Sequence, residues 1–199
     1  PQKYSPLKPM TRHGDNWVSI LRDQPSGTWK PHVIAALERL TGDIEDLKVT
    51  PAASYLVAQF RHRSDTRKMK WFDADQESDG TLRVAGIITA LLQDPPLPFL
   101  GIEEPELTVH PGALPLLFDY LEEASHRSQV LVTTHSPELL EKFDAADVRV
   151  VQRRDGVTSV ARLDPNQRDS VRTGLLSLGD LMRTEGLQQE LPLDVEAQP

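Results

Sequence analysis

Apolar positions along the chain change period more than once, and each change marks a different kind of element. Val33, Ile34, Leu37 and Leu40 recur at helical spacing behind Pro31, which predicts a helix with one apolar stripe that ends at Gly42. A shorter helix through Leu21 is predicted after Asp15 or Asn16, either of which can cap it, and residues 1–12 read as an irregular entry rich in proline and basic groups. From Ile44 the pattern turns strand-like: Ile44–Val49, then Tyr55–Arg61 and Lys68–Asp73 as a hairpin around Arg63-Ser64-Asp65-Thr66. Beyond Ser78, helices and short apolar runs alternate. Gly80–Leu92 reads as a helix stopped by Asp94-Pro95-Pro96, Pro98–Ile102 as a strand, Pro111–Ser125 as a helix and Gln129–Thr134 as a second strand. A short helix Pro137–Phe143 is capped by Ser136, and strands Asp147–Gln152 and Val157–Arg162 flank Arg154-Asp155-Gly156. A last helix is predicted over Ser170–Met182, interrupted by Gly174 and Gly179, with an unstructured acidic tail past Gly186. The two apolar runs lack alternation, as strands buried on both faces do. Joined by short linkers, they predict an α/β fold: a parallel sheet with flanking helices, preceded by a small helix plus hairpin region.

Composition narrows the classes. The 199 residues suffice for one domain, and 38% hydrophobic content argues against disorder over most of the length. No cysteine is present, which removes disulfide scaffolds, cysteine-ligated metals and thiol nucleophiles and fits a cytoplasmic protein. The longest apolar run, Val84–Leu92, is too short to span a bilayer, so no membrane partner is expected. With 30 acidic against 22 basic residues the net charge is −8, which disfavours nonspecific attraction to polyanions. One local exception is Arg61, His62, Arg63, Arg67, Lys68 and Lys70 at the hairpin tip. That cluster reads either as a charged edge that discourages sheet-to-sheet pairing or as a DNA-backbone contact.

Four segments can carry chemistry. In Gln76-Glu77-Ser78-Asp79-Gly80-Thr81 a small polar turn runs into a helix start, where free amides attract anions, though Ser78 reads equally as an N-cap. Phe99–Glu106 is an apolar strand that ends in Glu103, Glu104 and Glu106, and carboxylates leaving a buried strand call for a cation or a proton. Leu107–Pro111 follows, with His110 read as a turn residue. Val130–Pro137 is an apolar strand ending in His135, an imidazole suited to a terminal phosphate or a catalytic water.

Taken in order and spacing, these segments resemble the C-terminal half of ABC-type ATPase heads, in the AAA-type core branch related to the SMC and RecF proteins. Ser78-Asp79-Gly80-Thr81 resembles the signature loop, Leu100–Glu104 the Walker B strand, Pro105–Pro111 the D-loop and Thr134-His135-Ser136 the switch histidine. The resemblance implies a P-loop NTPase-like fold, C-terminal lobe only, with ATP and Mg²⁺ as ligands. It makes Glu103 the magnesium-associated carboxylate, Glu104 the residue that positions the attacking water, and His135 the γ-phosphate sensor. Ser78, Asp79 and Gly80 would face ATP held by another protomer, in a head-to-tail homodimer or beside a partner ATPase subunit. Glu77 stands where relatives commonly have leucine. Three segments follow: 1–77 leading into the signature loop, 78–165 as the catalytic core, and 166–199 as a C-terminal helix and tail.

The phosphate-cradling pattern Gly-x-x-x-x-Gly-Lys-Ser/Thr begins at none of the 11 glycines. The resemblance therefore implies that an N-terminal lobe carrying Walker A supplies it, and that the chain alone binds ATP poorly. Two other functions fit parts of the same pattern. One is a catalytically silent interaction or regulatory module, and the other a metal-dependent nuclease built on Glu103, Glu104 and Glu106. Related heads serve DNA repair and defence.

Overall fold

The computed structural model describes residues 2–3, 9–24, 30–63 and 70–190. Two compact units are present, residues 1–134 and 135–199.

In the first unit, β1 (Gln2–Lys3) precedes α1 (Trp17–Asp23) and α2 (Lys30–Thr41). Asn16 stands at the start of α1 without capping it. Its side chain instead accepts from the Thr11 amide at 2.8 Å and donates to the Pro9 carbonyl at 3.0 Å, which ties down the entry segment. The α2 stripe matches at Val33, Leu37 and Leu40, which are buried; Ala36 is buried as well, and Ile34 only partly so. β2 (Ile44–Ala52), β3 (Tyr55–His62) and β4 (Trp71–Asp73) follow, and β3 is the hub, antiparallel to β1, β2 and β4. Alternate β3 residues Leu56, Ala58 and Phe60 are buried, the period-2 pattern of a sheet with one face on the core. The polar turn expected at 63–66, together with Arg67 and Lys68, lies largely outside the described residues.

α3 (Asp79–Leu92) starts at Ser78, whose Oγ accepts from the Thr81 amide at 3.0 Å. It buries Val84, Ala85, Ile88, Thr89 and Leu91. The Thr89 hydroxyl is satisfied by the Ala85 carbonyl at 2.6 Å. β5 (Phe99–Glu103) and β6 (Gln129–Thr133) are parallel neighbours, with α4 (Leu114–Ser125) as the crossover between them. The first turn expected for that helix is a 3₁₀ turn at Pro111–Ala113, with α4 proper beginning at Leu114.

These strands depart from the expectation of burial on both faces. Leu100 is buried, and Ile102, Val130 and Val132 pack against the same core. Phe99 and Leu131, on the other face, are 53% and 54% exposed. Among the described residues, helices α3 and α4 pack against these strands on the inward face only, so an apolar pattern that fits two covered faces meets one.

In the second unit, α5 (Pro137–Leu140) is followed by the hairpin β7 (Arg149–Arg154) and β8 (Val157–Arg162), then α6 (Pro165–Arg172) and α7 (Leu178–Thr184). The helix predicted over 170–182 with interruptions at Gly174 and Gly179 is two helices, the first beginning earlier, at Pro165, and the break falls at Gly174 only. Gly174, at φ 71°, takes a left-handed conformation that closes the first, and Ser177 opens the second with a capping box to Asp180. Gly179 lies inside α7, where a Cβ would collide with the Glu141 side chain. Residues directly past Gly186 are ordered too, contrary to the predicted tail: Gln188 accepts from the Asp164 amide, and Gln189 bridges Leu163 and donates to the Val150 and Ser159 carbonyls. Residues 191–199 lie outside the description. No helix among the described residues is long and apolar enough to cross a membrane.

Candidate functional site

The C-terminal edge of the β5–β6 pair organises the first unit's polar chemistry. Parallel register sets Glu103 opposite Thr133, and the Glu104 amide donates to the Thr133 carbonyl at 2.8 Å, so pairing continues one residue past the strand. There the chain turns sharply. Glu104 sits at φ 43°, ψ 58°, a left-handed conformation uncommon for a residue with a side chain, and Pro105 follows as the first residue of a 3₁₀ turn over Pro105–Thr108. Such strain costs about 1–3 kcal/mol and persists where the surroundings hold it. Here Arg83 of α3 does so, donating to the Glu103 carbonyl at 2.5 Å and the Glu104 carbonyl at 3.0 Å. Glu103 is exposed and Glu104 half-buried. On the far side of the turn, Glu106 Oε1 accepts from Thr134 Oγ1 at 2.5 Å, a second tie between the end of β6 and the acidic turn.

Ser78 thus begins the helix whose Arg83 clamps the acidic strand end. Arg83 is given no role by the sequence pattern. It donates to carbonyls rather than to a carboxylate, so no charge pattern marks it. Arg83→Ala is expected to cost about 1–2 kcal/mol of stability and to speed amide exchange at Glu104 and Leu107; unchanged exchange there would show that the clamp does not hold the turn.

His110 takes the turn role read for it: its Nδ1 accepts from the Gly112 amide at 3.1 Å. His135 opens the second unit and is exposed. Next to it, Ser136 caps α5 through the Leu139 amide at 3.1 Å. Within that unit Arg183 donates to Glu138 at 2.9 Å and Glu141 at 3.0 Å, joining α5 to α7. The Glu138 carboxyl is held below its usual range, first by Arg183 and then by backbone and Ser136 hydrogen bonds.

Among the described residues no group of three or more His, Asp or Glu side chains converges as a metal site. Glu103, Glu104 and Glu106 therefore do not form the carboxylate cluster that a two-metal nuclease needs. A magnesium ion bound beside phosphates is less demanding, since one or two carboxylates complete its shell with phosphate oxygens and water. Glu103, a hard oxygen donor exposed at the strand end, fits that requirement.

The basic cluster is largely neutralised where it is described. Arg61 pairs with Glu45 and Asp46, Arg63 with Glu38 and Glu45, and His62 with Asp43 and Glu77. Arg67 and Lys68 lie outside the described residues.

The parallel strand pair, with carboxylates at its C-terminal edge and a capped helix clamped to it, belongs to an AAA-type domain with the fold of SMC heads. The chain belongs to the family described as "AAA domain, putative AbiEii toxin, Type IV TA system", which matches residues 6–141. No curated protein sequence matches it. Solved structures of SMC heads are among those that share the fold. One, from a study of ATP-driven dimerization and DNA-stimulated activation of SMC ATPases, aligns at TM-score 0.53 and 15% identity over 75% of this chain and 91% of its own. The Smc head with coiled coil and joint from Pyrococcus yayanosii aligns at 0.58 and 15% identity, over 82% of this chain and 31% of that one. A Smc head bound to the C-terminal winged-helix domain of ScpA aligns at 0.58 and 16% identity, over 84% and 53%. The chain therefore spans about a third to a half of the latter two.

Proposed function

We propose that this chain is the C-terminal part of a cytoplasmic ATPase head that works as a nucleotide-sandwich dimer. The observation that carries the reading is the common edge of β5 and β6, where Glu103 and Glu104 emerge beside Thr133 and are clamped by Arg83 from the helix that Ser78 caps. Residues 1–77 lead into the signature loop, 78–165 hold the catalytic groups, and 166–199 complete the C-terminal end. Glu103 would hold Mg²⁺ through its water shell, and the ion would neutralise charge on the phosphates. Glu104 accepts a hydrogen bond from the attacking water and orients it. His135 donates to the γ-phosphate. Ser78, Asp79 and Gly80 meet the nucleotide of the other protomer, Ser78 through its hydroxyl and Gly80 through a backbone without a side chain in the way.

Phosphate cradling comes from a second lobe with the Walker A loop, since no glycine here opens that pattern. The exposed apolar residues Phe99 and Leu131 on the outer face of the strand pair support such a covering lobe. Pairing driven by ATP, with DNA as a stimulating partner, is the working mode that this reading transfers from the SMC heads.

The test is calorimetry of the chain with Mg-ATP. Binding weaker than micromolar and negligible turnover are expected, with both restored when the Walker A lobe is present. Micromolar binding by the chain alone would refute the division of labour.

A further inference from the structure

His62, on the last residue of β3, stands between two carboxylates. Its Nδ1 is 2.8 Å from Asp43 Oδ2 and its Nε2 is 2.7 Å from Glu77 Oε1. A carboxylate only accepts, so satisfying both requires both ring nitrogens to donate, and only the imidazolium does that. The two partners differ in exposure. Asp43 lies in the loop before β2 with its side chain 56% exposed, whereas the Glu77 side chain is 5% exposed. Glu77 immediately precedes Ser78. The Phe72 ring closes the side of the imidazole edge-on, at 5.4 Å and 88°. Other charges nearby are committed elsewhere: Arg61 and Arg63 to acids of α2 and β2, and Lys70 over the Phe72 ring at 4.6 Å. Among the described residues Glu77 has no cationic partner besides His62.

We propose that His62 is a positioning residue for the signature turn: its two-sided donation holds Glu77, and with it the adjoining Ser78–Gly80 backbone, at the angle from which α3 starts. The inference rests on reading that turn as the nucleotide-facing loop. It accounts for an acid at a position where the resemblance implies leucine, because a carboxylate can be held or let go by one proton and an apolar side chain cannot.

Partial burial pulls the His62 pKa down, but hydrogen bonds and charges from Glu77 and Asp43 outweigh it, and the net shift is upward. A raised folded value means that the stabilisation is fully present below the unfolded value of about 6.5 and is lost as pH rises through the folded value. A neutral imidazole keeps one proton. Either Asp43 or Glu77 then faces a lone pair, and the retained bond loses its charge assistance.

The test has two arms. In the first, the 199-residue chain is titrated by NMR from about pH 5.5 to 9, following the His62 ring and the Ser78 and Gly80 amides. The amides are expected to move with the His62 midpoint. In Glu77→Gln, which keeps an acceptor but no charge, the midpoint is expected to fall and the amide response to vanish. Amides that ignore the His62 titration overturn the proposal, without any variant having to fold. In the second, turnover of the complete ATPase is measured over the same range. Wild type is expected to lose activity through the His62 midpoint. His62→Gln is expected to be roughly tenfold slower near pH 6.5 and flat with pH, a signature that simple loss of packing does not produce. Coupled amides with a turnover profile blind to His62 would keep the latch and overturn the nucleotide-facing role of the turn. Absent turnover in the complete protein would overturn the ATPase reading, with the NMR arm still deciding the latch.

Discussion

Glu104→Gln in the complete ATPase is expected to lower kcat by about a hundredfold or more while ATP stays bound and the closed dimer accumulates. A side chain that positions water and accepts its proton contributes about 10²–10⁴ in rate. Glutamine keeps the size and a hydrogen-bonding oxygen but takes up no proton. The backbone around Glu104 is set by its pairing to Thr133 and by the Arg83 clamp, neither of which involves the carboxylate. The substitution removes the proton-accepting group and keeps the backbone pairing and the Arg83 clamp. Single-turnover kinetics with nucleotide retention on the protein separates the steps: loss of ATP binding, or normal turnover, would move the catalytic role away from Glu104. Glu103→Gln is the informative contrast, since a metal-associated carboxylate should alter the magnesium dependence.

Phe60→Ala is expected to cost about 3–5 kcal/mol, the range for truncating a buried aromatic side chain. Against a total of about 5–15 kcal/mol that is enough to leave the first unit barely folded. Phe60 is fully buried in the middle of β3, opposite Leu47 of β2 and Phe72 of β4, with the Trp17 ring 6.4 Å away. The loss would spread to function because β3 carries His62 two residues further on. Trp17 and Trp71 lie in the first unit and none of the 3 tryptophans of the sequence lies beyond position 71, so urea unfolding followed by tryptophan fluorescence reports on that unit. A midpoint close to wild type would show that Phe60 is not central to this core.

Where local rules set the outcome, the chain is legible. The apolar stripe of α2, the Ser78 and Ser136 caps and the Asp155-Gly156 turn each depend on residues a few positions apart, and they fall where the pattern places them. The order of strand and helix ends from Ser78 to Thr133 is legible for the same reason, because each is a short run with its own composition. Misreadings arise where the decision is longer in range. Continuous apolar runs at Phe99–Ile102 and Val130–Val132 record what the residues can be packed against; exposure of Phe99 and Leu131 depends on which partner surfaces are present. The interruption expected at Gly179 does not occur, because Gly179 sits inside α7 where the Glu141 side chain packs against it, a contact 38 residues away in the chain.

The sequence by itself determined the element types, their order and the residue types offered at each strand and helix end, because propensity, period and capping act within one or two turns. Only the tertiary structure decided that Glu103 lies opposite Thr133, that Arg83 reaches across 20 residues to the carbonyls at the end of β5, and that His62 bridges Asp43 and Glu77, 19 and 15 residues away. Such pairings follow from how α3 packs on β5 and how β3 sits among its neighbours. Their free energy is collected only after the chain has folded back on itself, so no window of sequence contains it.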